Sequence, residues 1–113
     1  MLHLITAIVK PHRVHAVKQA LTEVGVRGLT ISEARGFGRQ GGHTETYRGT
    51  EYTIEFVPKV KIEVLCAPED VDRVTAAISS SAQTGKIGDG KIWAASVDRA
   101  TRIRTGEAGN DAV

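Results

Sequence analysis

Lys59-Val60-Lys61-Ile62-Glu63-Val64-Leu65-Cys66-Ala67-Pro68-Glu69-Asp70-Val71 changes period in its middle. Up to Cys66 it alternates, with Val60, Ile62, Val64 and Cys66 on one side and Lys59, Lys61, Glu63 and Leu65 on the other. That is a strand with one face in a core. From Pro68 the apolar residues recur as Val71, Val74 and Ile78, the stripe of a helix that Ala82 extends. Pro68 suits a first helical position, and Glu69 and Asp70 lie at the helix's positive end. A shift of 57 positions carries Pro11 onto Pro68, Val14 onto Val71, Val17 onto Val74, Ala20 onto Ala77 and Leu21 onto Ile78. The strands before the helices also superpose, Ile5 on Ile62 and Ile8 on Leu65. Leu2 to Val9 is therefore read as the first strand, apolar on both sides, and Gly25 stops the first helix. Leu29 to Arg35 and Lys91 to Val97 supply a strand after each helix. Two β-α-β units in tandem make an α+β, ferredoxin-like β-α-β-β-α-β chain.

The whole chain bears out one domain's worth of material. It has 113 residues, 41% hydrophobic and 25% charged, with a net charge of +2. This is ordinary for a soluble globular domain and argues against disorder. No apolar run approaches the ~20 residues of a membrane-spanning helix. Met1-Leu2-His3-Leu4-Ile5-Thr6 lacks a signal peptide's basic start and long apolar run. Cys66 is the only cysteine, which excludes an intrachain disulfide and fits the cytosol. So small a net charge and five aromatics (Phe37, Tyr47, Tyr52, Phe56, Trp93) argue against a nucleic-acid partner. In this fold both helices cover one sheet face. The first and last strands are apolar on both sides, so the second face also needs a cover, and a homo-oligomer packed through its sheets is expected.

Glycine marks the chemistry. Gly36, Gly38, Gly41, Gly42 and Gly49 fall in one segment and Gly85, Gly88 and Gly90 in another. Gly36-Phe37-Gly38-Arg39-Gln40-Gly41 fits G-x-G-x-x-G, but Gly42-His43-Thr44 follows where a dinucleotide fold needs a helix. Gly85-Lys86-Ile87-Gly88-Asp89-Gly90-Lys91 nearly fits a P-loop, yet Ile92 stands where a hydroxyl would hold Mg²⁺ and a strand follows. Glycines with lysines still suit a nest of amides for phosphate, against the plainer reading of a tight turn. Arg102-Ile103-Arg104 puts two guanidinium groups on one side of an extended segment, suited to phosphate or simply solvated. His12 and His15 share a helix face without a third metal ligand. Cys66 reads as a small core residue. No nucleophile-base pair or paired carboxylate is evident, so the chain offers anion-binding backbone without catalytic machinery. Residues 36–58 form a long segment of weak periodicity, either a partner-binding arm or a hairpin extending the sheet with Tyr52, Ile54 and Phe56 on one strand face.

Lys10-Pro11, Gly36-Phe37-Gly38-Arg39-Gln40, Gly42-His43-Thr44-Glu45, Tyr47-Arg48-Gly49, Glu51-Tyr52, Pro58 to Glu63, Thr84 to Lys91 and Arg102 to Glu107 together resemble the nitrogen-regulatory PII signal-transduction family. The resemblance runs from Leu4 to about Glu107. It implies a single domain over residues 1–113, with a T-loop at about 37–58, a B-loop at about 84–91 and a C-terminal segment at about 98–113. It implies a homotrimeric cytoplasmic sensor, not an enzyme, that binds ATP or ADP between subunits and, with Mg-ATP, 2-oxoglutarate. Matched by motif, Gly36, Gly38, Arg39 and Gln40 lie beside the phosphates, and Gln40 helps hold Mg²⁺. Gly88, Asp89, Gly90 and Lys91 form the phosphate cradle. Arg102 and Arg104 reach in from a neighbouring subunit, and Ile8, Thr30, Glu63 and Val64 line the adenine side. Lys59 pairs with a 2-oxoglutarate carboxylate, with Gln40, Gly41, Gly42 and Gly88 around that ligand. Tyr52 matches a tyrosine that a nucleotidyltransferase modifies in many members. The implied partners are an ammonium transporter, which would bring the protein to a membrane, and regulators or enzymes of glutamine synthesis. Three positions depart from the family pattern: Gly41 replaces a common Lys, Thr50 a usual Ala or Ser, and Ala94 a larger aliphatic residue. The alternative is a divergent PII-like nucleotide-binding module that serves another pathway without 2-oxoglutarate; Gln40 and Lys59 would be expected to drift in it, and both are present.

Overall fold

The computed structural model describes residues 1–37 and 56–113 in full, and the backbone of 43–47 and 50–54. Among the described residues six strands and two α-helices follow in the order β1 (Leu2–Val9), α1 (Val14–Glu23), β2 (Thr30–Gly36), β3 (His43–Tyr47), β4 (Thr50–Ile54), β5 (Val57–Cys66), α2 (Val71–Ala82) and β6 (Lys91–Val97). One-turn 3-10 segments, Pro11–Arg13 and Pro68–Asp70, lead into the helices. The internal repeat therefore holds to the residue at both helix starts. α1 ends as Gly25 N–H bonds the Thr22 carbonyl and Val26 N–H bonds that of Leu21, the paired closure of a helix stopped by glycine.

The main sheet has the order β2-β5-β1-β6, antiparallel throughout, which is the ferredoxin-like arrangement of the expected α+β chain. Register fixes the two faces. Ile5, Ala7 and Val9 pair with Val64, Ile62 and Val60 and join Val17 and Leu21 of α1 and Val74 and Ile78 of α2 in the core. Burial of each such side chain stabilises the fold by about 1.5–3 kcal/mol. The opposite face carries Thr30, Glu63, Thr6 and Trp93 as one row and Ser32, Lys61, Ile8 and Lys91 as the next. No helix covers this side among the described residues, and Leu65 and Trp93 on it stay exposed.

Two expectations change in detail. A hairpin does form after β2, but β3 and β4 make their own two-stranded sheet, with Glu45 opposite Tyr52. It does not extend the main sheet, and Phe56 lies beyond β4, tilted against Phe37 with ring centroids 6.2 Å apart. The third core strand starts at Val57 rather than Lys59 because Val57 and Pro58 pair with Gly36 and Arg35.

Candidate anion site at the loop before β6

The loop from α2 into β6 is drawn tight by its own side chains. Asp89 accepts from the main-chain N–H of Thr84 at 2.8 Å and of Gly85 at 2.9 Å, and from the Thr84 hydroxyl. Lys10, the residue just past β1, donates to Thr84 Oγ1 at 3.1 Å and lies 3.2 Å from Asp89 Oδ1. The Thr84 hydroxyl and then its N–H hold the Asp89 carboxyl well below the usual carboxylate range, with Lys10 and Gly85 acting the same way and burial opposing. Asp89 is thus an ionised group whose lone pairs are engaged inside the loop.

Gly90 makes the close approach that seats this loop. Its φ is +97°, and a Cβ there would stand 1.7 Å from the Ile8 carbonyl oxygen. Only glycine fits, and the next residue, Lys91, pairs with Ile8 to begin β6.

Beside the loop opens a cleft of roughly 720 Å³. Ile8, Phe37, Val57, Ile87 and Trp93 give it apolar walls, and Gly36, Lys59 and Gly88 to Lys91 line the rest. Lys59 is 7% exposed and donates through Nζ to the Gly88 carbonyl. Burial pushes its ammonium below the usual lysine range, the nearby Lys10 charge adds to this, and Asp89 opposes. Two lysines on the cleft, with the one carboxylate already satisfied, suit an anion. Among the described residues no three His, Cys, Asp or Glu side chains gather to hold a metal.

The structure thus brings Ile8, Gly36, Lys59, Gly88, Asp89, Gly90 and Lys91 to one cleft. Thr30 and Glu63 pair across β2 and β5 and line a second cleft of roughly 630 Å³, together with Ala112 and Val113. Val64 turns its side chain into the core, so only its backbone is available to a ligand. Arg102 donates to the Val113 carbonyl at 2.9 Å and lies 3.4 Å from Glu107 Oε1. Arg104 is exposed, and neither arginine is among the described residues that line these two clefts. Gly38, Arg39, Gln40, Gly41 and Gly42 lie outside the described residues, as does the side chain of Tyr52. Reasoning from sequence did not assign Lys10 or Thr84 to the site. A lysine at the end of the first strand, and a hydroxyl opening a Gly-x-x-Gly-Asp-Gly loop, were the available signals.

Comparison with known proteins agrees with this architecture. The family model described as nitrogen regulatory protein P-II matches residues 2–107. A nitrogen regulatory protein P-II of Rhizobium meliloti is 57% identical over 109 residues, spanning 96% of this chain and 97% of the relative. Its counterpart from Azospirillum brasilense is 56% identical over 109 residues, again 96% and 97%. The crystal structure of Arabidopsis thaliana PII bound to citrate superposes with a TM-score of 0.82 at 38% identity, covering 99% of this chain and 92% of that one. These relatives are regulators in signal transduction rather than enzymes. By sequence over nearly its whole length and by fold, this chain belongs to the nitrogen regulatory P-II family.

Proposed function

We propose that the protein is a trimeric sensor that binds ATP or ADP at the 84–91 loop and, with Mg-ATP, takes 2-oxoglutarate beside Lys59. The observation that carries this reading is the cleft itself: glycine-rich backbone, Lys91 and a buried Lys59 around one opening, with Asp89 engaged elsewhere. A triphosphate brings about four negative charges, which amide N–H groups and lysines in a partly dry cleft offset. Lys59, now bonded to the Gly88 carbonyl, would exchange that neutral acceptor for a carboxylate, a stronger partner. The Arabidopsis thaliana relative was crystallised bound to citrate, and carboxylates are the ligand class that Lys59 suits. Mg²⁺ prefers hard oxygens; Gln40 with phosphate and 2-oxo-acid oxygens would hold it and neutralise charge between the two ligands.

Arg102 and Arg104 would serve the nucleotide of a neighbouring subunit, in keeping with their not lining the two clefts described in their own chain. The exposed face with Leu65 and Trp93 is the surface that trimer formation would bury. Ligand at Gln40 sits at the root of the 37–58 T-loop and so biases how that loop meets an ammonium transporter or proteins of glutamine-synthesis control. Tyr52, in β4 of that hairpin, would be the residue open to a nucleotidyltransferase. The rival module without 2-oxoglutarate sensing is disfavoured because Gln40 and Lys59 would be expected to drift in it, and both are present.

Calorimetry tests the reading. Mg-ATP is expected to raise 2-oxoglutarate affinity, and 2-oxoglutarate to raise ATP affinity by the same factor. Equal 2-oxoglutarate affinity with and without Mg-ATP would overturn it.

A further inference from the structure

We infer that Lys10 is a positioning residue for the anion cradle: its ammonium, bridging Thr84 and Asp89, holds the 84–91 loop in the shape that receives phosphate. The inference deepens the nucleotide-binding reading above and rests on it. Lys10 leaves β1 one residue beyond the last core position, and the loop returns into β6 directly beside it. Its side chain is 14% exposed and that of Asp89 25%, so the contact is mostly shielded from water. Such a pair adds little net stability, because desolvation offsets attraction. What it fixes is direction. Asp89 is engaged by Lys10, the Thr84 hydroxyl and two main-chain N–H groups, while Gly88, Gly90 and Lys91 line the cleft beside it. Without the ammonium, a carboxylate would stand beside the phosphate position with one partner fewer, and an anion would meet its repulsion. The same turn holds the loop's other root: Arg13 donates to the Ser81 carbonyl through Nε at 3.0 Å and Nη2 at 2.6 Å, fixing the end of α2 from which the loop departs. Lys10 touches no ligand in this account and acts through Asp89.

Amide hydrogen exchange on the ligand-free protein and ATP titration, run on the wild type, Lys10→Met, Lys10→Arg and Thr84→Val, form the test. In Lys10→Met the Thr84 and Gly85 amides are expected to exchange at least ~10-fold faster while the β1 and β5 amides keep their protection. ATP affinity should fall by about 10-fold or more, and Lys10→Arg should stay within about 3-fold of wild type, since it keeps the charge. Thr84→Val retains the Lys10 charge but loses the bridging hydroxyl, and should loosen the same two amides even where Lys10→Met fails to fold. Unchanged exchange at 84 and 85, or loosening spread evenly over β1 and β5, overturns the positioning role. So does unaltered ATP affinity in a Lys10→Met protein whose wild type binds ATP. A wild type that binds no ATP refutes the nucleotide reading instead, and exchange still decides whether Lys10 holds the loop.

Discussion

Replacing Gly90 by alanine puts the closest packing in the site under direct load. At φ +97° any residue with a side chain is strained, at a cost of about 1–3 kcal/mol. The added Cβ would also lie 1.7 Å from the Ile8 carbonyl oxygen and 2.8 Å from its carbon. Both are backbone atoms of a central strand, so nothing flexible yields, and overpacking of this kind costs a further ~1–3 kcal/mol. The total, about 2–6 kcal/mol, is a large share of the ~5–15 kcal/mol by which domains are stable. Gly85→Ala is the control. Gly85 has φ +80° with open space around it, so it bears the backbone strain without the collision. Urea unfolding followed by far-UV circular dichroism, at one protein concentration, should place the Gly90→Ala midpoint below that of Gly85→Ala by a difference worth about 1–3 kcal/mol. Coincident midpoints would refute the claim that the loop is seated by glycine contact with Ile8.

Four further outcomes are expected. Ile78→Ala and Leu21→Ala, at matching repeat positions and both fully buried, should each cost about 2–5 kcal/mol in chemical denaturation, while Ile103→Ala at the surface costs under ~0.5 kcal/mol. Lys59→Met should weaken 2-oxoglutarate binding in the presence of Mg-ATP by roughly 10-fold or more, read by calorimetry, with ATP affinity less affected. The Asp89 carboxyl is held below its ordinary range, so its stabilisation is complete above an unfolded pKa of about 3.9 and is lost as pH falls toward the folded value. Wild type should therefore be more stable than Asp89→Asn near neutrality, and the gap should narrow as thermal midpoints are followed below about pH 4. Arg102→Ala should reduce ATP affinity by roughly 10- to 150-fold if it serves a neighbouring subunit's nucleotide, whereas a solvated arginine would cost under about 1 kcal/mol.

The parts of the molecule governed by period were legible before the structure. Val60, Ile62, Val64 and Cys66 alternate, and Val71, Val74 and Ile78 follow helical spacing. The prolines at 11 and 68 mark both helix entries, so the fold follows from residue order alone. The β3-β4 hairpin was half legible. Tyr52 and Ile54 do lie in a strand, but nothing in an alternating pattern says whether an edge pairs with the main sheet or only with its neighbour. Glycine spacing made Gly88, Gly90 and Lys91 readable as a tight loop into a strand, and Gly90 at φ +97° with Lys91 paired to Ile8 is that loop. The place of Lys10 was not readable, because its partners Thr84 and Asp89 are more than 70 residues away and only the closed sheet brings β1 beside β6. Arg102 illustrates the same limit: its neighbours Glu107 and Val113 depend on a turn that spacing alone does not reveal.

The central claim is that phosphate lies on the loop joining α2 to β6. A crystal structure of the protein with Mg-ATP tests it most directly. The account predicts phosphate oxygens within hydrogen-bond distance, about 3 Å, of main-chain N–H groups between Gly88 and Lys91, with the Lys10–Asp89 contact intact behind them. Phosphates bound elsewhere, with this loop empty, would contradict it.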